Sequence, residues 1–401
     1  MIRFIKISNM GFIGVCLLLS VLVGSSPAAE KIFKFVDITP LSGAAAGWGI
    51  PDSRTCRYAV DDYNKKGGLL VGGERYTIQY VAYDSKYQPA EAVALLNKAI
   101  FGDKARYIQV MGLNSCVVAA PITESNKVFL LANATGGAEL TNPNHPLAFR
   151  SPLPGPIGPI LYYSEFIKEF GVKTIALVNP DDDAGYTASK FIKPFVETLS
   201  PAPKVVADEF YTRGTPDLTP VILRVLAKKP DMIDLGISSP GDTGIFLKQL
   251  GEAGYTGLHM NSFGMVALDT LWVAAGKAAI GHFAIGNFVE PPTPEFEAHT
   301  KRYLKDYGGR TAPISLHHTY EALTSIFRAI EKANTFDTVT VAETLAKMEW
   351  EGFHGHYRWM GKEKSLGFGI NRSLCYPSSL NRLGEEGRIQ KWRVKSLPRE
   401  Q

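Results

Sequence analysis

"FVDITPLSGAAAGWG", Phe35–Gly49, runs from an apolar stretch through Pro40 into a string of small residues and one large aromatic, Trp48. Phe35, Val36 and Ile38 give the stretch strand character. Pro40 ends it, because proline cannot donate to a ladder. A solvent turn has no use for the tryptophan, and a core strand has no use for Gly43, Gly47 or the three alanines between them. The combination suits a first strand whose following loop passes close to something and offers it a flat apolar wall.

Outward from this loop, strand and helix patterns alternate, as in a parallel sheet flanked by helices. Tyr58, Ala59 and Tyr63 share one helical face within Pro51–Lys66, which stops at "KKGG". "YTIQYVAYD" is a strand, Pro89–Ile100 a helix, "RYIQVMGLNS" a strand with a polar end, and "VFLLANATGG" another. The proline-dense "FRSPLPGPIGP" (Phe149–Pro159) breaks the rhythm. It then restarts with helices over 160–170, 185–199, 218–228 and 243–253 and strands "KTIALVNP", "KVVADEFY", "MIDLGIS" and "GLHMNSF". After a second break, "GNFVEPPTPEFE" (Gly286–Glu297), come helices over 294–307 and 316–333, a third near Thr340, and short strands "GHYRWM" and "GRIQKWRV". The pattern predicts an α/β protein of two Rossmann-like lobes with parallel-rich central sheets. Residues 30–150 and 287–350 are expected to form the first lobe, and 151–286 and 351–401 the second. Repeated breaks between the two imply a hinge of several strands.

The 401 residues, 45% hydrophobic and 20% charged, suffice for two domains. A net charge of +4 without basic runs argues against nucleic acid as a partner. Arg3 and Lys6 precede an apolar run, Gly11–Gly24, and then "SSPAAE". These are the parts of a signal peptide, expected to span 1–29 with cleavage after Ala28 or Ala29. The run is shorter than the roughly 20 residues of a spanning helix; an uncleaved anchor is the other reading. The mature chain is therefore expected in the periplasm. Cys16 leaves with the signal, so Cys56, Cys116 and Cys375 form at most one disulfide or remain three separate buried thiols. There is no CxxC or paired His/Cys spacing, and no metal or cofactor is expected.

The sequence contains no GxSxG, HExxH, P-loop or strand-linked GxGxxG. His317 and His318 are adjacent, so their rings diverge on a helix, one expected to be packed and one exposed. Asp181–Asp183 suit a helix start, where the dipole favours acids. Ligands of parallel α/β lobes sit beyond the carboxyl ends of the strands. The residues there are Ser42–Trp48, Asn114, Ser115 and the "NATGG" loop from Asn133, Ala134 and Thr135 to Gly137. In the second lobe they are Asp183, Ala184, Ser238, Ser239 and Phe263.

"ITPLSGAAAGWG" followed by "AVDDYNKKGGLLVGGERYTIQYVAYDSKYQPAEAVALLNK" resembles the solute receptors of branched-chain amino-acid ABC transporters, the Leu/Ile/Val-binding family with the type I periplasmic-binding fold. The likeness implies a non-enzymatic, monomeric receptor that closes two lobes on one small solute and hands it to an inner-membrane permease. It assigns Trp48 as an aromatic wall. It also assigns Ser115 as a hydroxyl for the solute's carboxylate, helped by Asn133, Ala134 and Thr135. Three departures stand out. Phe263 occupies the place of the family's acid for an ammonium, Ala184 that of a second-lobe tyrosine, and Tyr87 and Asn114 those of a first-lobe disulfide. These favour a carboxylate or amide with a hydrophobic or aromatic portion over a free amino acid, unless Asp183 or Asp242 supplies the charge. The alternative role is a sensor of the same fold feeding a regulator or kinase. An exported enzyme would need a base for Ser115, and no histidine stands at a recognisable spacing.

Overall fold

The computed structural model describes residues 30–135, 140, 144–151, 155–266, 268–286, 293–309, 312–353, 355–359 and 372–395. The expected signal peptide and the two glycines that end the "NATGG" loop lie outside them.

The first lobe begins β1 (Ile32–Thr39), α1 (Ala46–Lys65), β2 (Leu69–Val71), β3 (Glu74–Asp84), α2 (Pro89–Asn97), β4 (Tyr107–Met111), α3 (Leu113–Ser125), β5 (Phe129–Asn133) and β6 (Ala148–Arg150). The second continues with α4 (Ile157–Phe170), β7 (Thr174–Pro180), α5 (Asp183–Glu197), β8 (Lys204–Tyr211), α6 (Thr219–Leu226), β9 (Met232–Asp234), α7 (Pro240–Glu252), β10 (Leu258–Met265), α8 (Leu268–Ala275) and β11 (Phe283–Gly286). The remaining elements are α9 (Pro294–Tyr307), α10 (Ser315–Ala333), α11 (Thr338–Leu345), β12 (Glu349–Gly352), β13 (Gly355–Trp359), β14 (Leu374–Cys375), β15 (Ser378–Leu383) and β16 (Ile389–Lys395).

The first sheet has the order β2-β3-β1-β4-β5-β6 and the second β16-β15-β11-β10-β9-β7-β8. In the first, only the hairpin partner β2 runs antiparallel. In the second, β7–β11 are parallel, and β15 and β16 add an antiparallel edge. The "FVDI" run is central, with Val36 opposite Val81 on one side and Ile108 on the other, so both of its faces are covered. Phe33 and Phe35 pack against α10 through Phe327, while Val36 and Ile38 face the opposite layer.

Each lobe has one point where the strand order reverses. In the first it falls between β1 and β4, and in the second between β7 and β9. Crevices open at the carboxyl ends of strands at such points. The chain arrangement therefore aims the loops after β1, β4 and β5 at those after β7, β9 and β10. The helices α3 and α5 touch across the lobes.

Two expectations change. The strand read through Ser115 stops at Met111, because Gly112 turns the chain with φ +100° and α3 starts at once. The segment from 351 was expected in the second lobe. Instead Tyr357, Trp359, Leu374 and Cys375 of the small sheet β12-β13-β14 share a core with Phe129 and Phe149 of the first lobe. The Trp359 ring meets Phe149 edge-on at 5.0 Å. Only β15 and β16 join the second sheet; apolar alternation marks a strand but not which sheet edge it joins.

Candidate functional site

A cavity of about 90 Å³ lies between the lobes, several times the space one water needs. Its first-lobe wall comes from Trp48 and Asp52 of α1, Tyr87 after β3, Gly112 before α3, Asn133 at the end of β5, and Ala134 and Thr135 after it. Pro313, Ile314, Ser315 and His318, at the start of α10, complete that wall. Ile237 and Met265 face it from the second lobe. Trp48 and Asp52 stand four residues apart on one helix and so share a face.

The two lobes are in contact here. Trp48 Nε1 donates to the Met265 carbonyl oxygen at 2.8 Å. Gly47 lies so close to Pro240 that a Cβ there would sit 3.1 Å from the proline's Cβ. Ala44 meets Gly241 in the same way, with its carbonyl oxygen 3.2 Å from where a Cβ would be. The small residues of the opening stretch thus let one lobe's loop seat against the other's helix start, with Trp48 carried beyond them to the cavity. Trp48 and Tyr87 form the aromatic wall, ring centroids 6.1 Å apart.

Three helices begin at this wall. Gly47 and Trp48 lie in the first turn of α1, Gly112 caps α3, and Ile314 and Ser315 open α10. The Trp48 N–H is taken up by the Ala45 carbonyl at 2.9 Å and the Leu316 N–H by the Pro313 carbonyl at 3.0 Å, but helix N-termini carry partial positive charge, so their convergence favours an anionic group. The Ser315 hydroxyl is buried and has no hydrogen-bond partner among the described residues. The Asn114 side-chain oxygen is likewise unpaired.

Asp52 belongs to a buried network behind the wall. Its Oδ1 accepts from Asn133 Nδ2 at 2.8 Å and from Thr319 Oγ1 at 2.5 Å, and its Oδ2 accepts from Gln109 Nε2 at 2.5 Å. Gln109 Nε2 also reaches Asp37 Oδ1 at 3.0 Å, and Tyr80 donates to Asp37 Oδ2 at 2.7 Å. Burial raises the pKa of both carboxyls, and for Asp52 the charge of Asp37 adds to it. Asp37, Asp52 and Cys56 offer ligand atoms within 4.8 Å of one another. The Gln109 amide nitrogen sits among them, a donor where a cation would need acceptors.

Of the residues expected from sequence, Trp48, Asn133, Ala134 and Thr135 line the cavity. Asn133, expected to help a carboxylate, directs Nδ2 at Asp52 and, at 3.5 Å, Thr319. Asn114 and Ser115 sit in the first turn of α3 just beyond Gly112, not in the lining. In the second lobe, Asp183 is exposed and Ala184 lies on the buried face of the first turn of α5. Ser239 caps α7 and donates to Asp242 at 2.6 Å. Phe263 is buried against Phe191 and borders a separate void of about 10 Å³ with Thr135 and Gly155. None of these four lines the main cavity; its second-lobe wall is Ile237 and Met265 instead. His317 and His318 are both buried, and His318 faces the cavity, contrary to the expected packed and exposed pair. His318 Nδ1 lies 3.0 Å from Ser151 Oγ, but Ser151 is outside the lining. Cys56, Cys116 and Cys375 are buried thiols.

The residues missed in sequence were Asp52, Tyr87, Met111, Ile237, Met265, Ser315 and His318. The four-residue spacing from Trp48 was a usable signal for Asp52. Tyr87 has φ +61°, and only the fold shows its ring covering Gly112.

Known proteins agree with this architecture. The leucine-, isoleucine-, valine-, threonine- and alanine-binding protein of Pseudomonas aeruginosa is 27% identical over 331 residues, 81% of this chain and 85% of the relative. A solute-binding protein of an R. palustris ABC transporter, solved with benzoate, superposes with a TM-score of 0.77 at 18% identity, over 91% of this chain and 97% of its own. The branched-chain amino-acid transporter substrate-binding protein of Streptococcus pneumoniae, solved with isoleucine, gives 0.75 at 18%, over 92% and 99%. These are binding proteins rather than enzymes, with the type I periplasmic-binding fold. Residues 34–367 match the periplasmic binding protein family, and the chain belongs to it.

Proposed function

We propose that this chain is the exported solute receptor of an ABC importer. It acts as a monomer that closes on one small organic solute and presents it to an inner-membrane permease. The solute carries a carboxylate or amide and a hydrophobic or aromatic body. The observation that carries this reading is the convergence of three helix N-termini on an inter-lobe cavity walled by Trp48, Tyr87, Ile237 and Met265. The helix starts suit a carboxylate, and the wall suits an apolar or flat body.

An α-ammonium would need an available acid. Asp52, the one carboxylate of the described lining, already accepts three hydrogen bonds from the protein. Asp242 accepts from Ser239 Oγ and from Gly214 N, and Asp183 points outward into solvent. Burying an ammonium without a partner costs several kcal/mol. Of the ligands printed for two solved neighbours, benzoate lacks the ammonium that isoleucine carries.

A thermal-shift screen of the mature chain against amino acids, amides, aromatic acids and aliphatic acids tests the reading. A bound solute raises the transition temperature by mass action. A rise with at least one acid supports it, and a flat response across all four classes contradicts it.

A further inference from the structure

Arg213 follows β8 in the second lobe, its side chain only 12% exposed. Its Nε donates to Asp182 Oδ2 at 2.9 Å. Nη1 lies 3.7 Å from Asp242 Oδ2, beyond hydrogen-bonding distance, and among the described residues neither buried Nη has a hydrogen-bond partner. Both acids are fixed on the second lobe. Asp182 caps α5 by accepting from Gly185 N at 3.0 Å, and Asp242 accepts from Gly214 N at 2.8 Å. What meets the guanidinium from the other side belongs to the first lobe. Its carbon stands 5.1 Å from the Tyr87 ring centroid and 5.9 Å from that of Trp48.

A guanidinium buried with unpaired N–H groups is unfavourable unless something replaces its water. Two aromatic faces within about 6 Å do so in part. Those are the two rings that wall the cavity, and they reach Arg213 only while the lobes are together. Opening the cleft would leave Arg213 tied to Asp182, return its Nη groups to water and remove the brace from behind Trp48 and Tyr87.

We propose that Arg213 is a positioning residue for solute capture, a second-lobe clamp that holds the Trp48–Tyr87 wall in place in the closed state. The contact is cross-lobe and touches no solute, so it goes beyond the choice of ligand. Because closing removes water from the guanidinium as it gains the rings, the clamp biases closure without locking it. A receptor that must release its solute needs such a balance.

The test uses the mature chain with no added solute. Arg213→Met removes the charge and keeps the length; Arg213→Lys keeps the charge and loses the planar stack. The Trp48 emission is taken as the difference between each protein and its Trp48→Phe counterpart, which removes the other tryptophans. Small-angle scattering gives the radius of gyration of the same samples. Arg213→Met is expected to shift the Trp48 emission to longer wavelength and to enlarge the radius. Arg213→Lys should fall between it and the wild type. Tyr87→Leu, which removes a ring from the other side, must give a shift in the same direction and serves if Arg213→Met does not fold. A Trp48 spectrum and a radius unchanged in all three variants would overturn the clamp. Since no solute enters the measurement, a failed solute screen leaves this result standing.

Discussion

Replacing Trp48 separates what the wall contributes to holding a solute. In the closed cleft its Nε1 donates to the Met265 carbonyl at 2.8 Å, and its ring faces the cavity, Tyr87 and Arg213. Trp48→Phe removes the hydrogen bond and keeps a ring. A net hydrogen bond contributes about 1 kcal/mol, so affinity should fall roughly fivefold. Trp48→Ala removes the apolar contact and the cation–π partner as well. The apolar loss is on the order of 1–2 kcal/mol, and the cation–π loss about 0.5–1 kcal/mol. Water entering the gap offsets part of the total, so the net loss should be about 2–3 kcal/mol, or 30- to 150-fold in Kd. Both variants should weaken capture mainly through the closed state, since an open cleft has neither the Met265 nor the Arg213 contact. Isothermal titration with the strongest acid from the thermal-shift screen reads both numbers. Equal Kd values for wild type and Trp48→Ala would refute the placement of the wall and the closure argument built on it.

His259 and His282 are buried with their Nδ1 atoms 3.0 Å apart, and burial lowers both pKa values, that of His259 to about 4. Their folded pKa values lie below the unfolded value near 6.5. Their contribution to stability is therefore full above pH 6.5 and lost as pH falls toward 4. His282→Gln should flatten that part of the melting-temperature profile, and an unchanged acid slope would count against it. Asp52 has the opposite sign: burial raises its folded pKa, so its contribution is full below the unfolded value near 4 and lost as pH rises through the folded pKa. The melting temperature of Asp52→Asn relative to wild type should accordingly climb between pH 5 and pH 9, and a constant difference would contradict it. Mass spectrometry of the secreted or periplasmic fraction should find an N-terminus at Ala29 or Glu30, and an intact Met1 on the mature product would rule out cleavage.

Much of the fold was legible because each element carried local signals. The "FVDI" run, the proline and glycine breaks and the 3.6-residue stripe of α10 each identify an element without help from the rest of the chain. The candidate site was legible in its first-lobe half, because Trp48 lies on the loop-to-helix segment after β1 and Asn133–Thr135 at the end of β5, both recognisable strands. The second-lobe half was not. Its strands end in irregular backbone, and a shift of a residue or two changes which side chain faces the cleft. Phe263 points to Phe191, and Met265, two residues further along the strand, reaches the cavity. His318 was hidden for a different reason. It sits inside a helix whose pattern alone reads as core, and only packing against another element shows that one edge of it borders open space.

The most direct test of the account compares leucine with its deaminated analogue, 4-methylpentanoate, by isothermal titration against the mature chain. The two share a carboxylate and an isobutyl body and differ in the α-ammonium, for which the described lining offers only the already hydrogen-bonded Asp52. 4-Methylpentanoate is expected to bind, and leucine to bind more weakly. Tight leucine binding with no response to 4-methylpentanoate would contradict it and show that an acid of the cleft serves the ammonium after all.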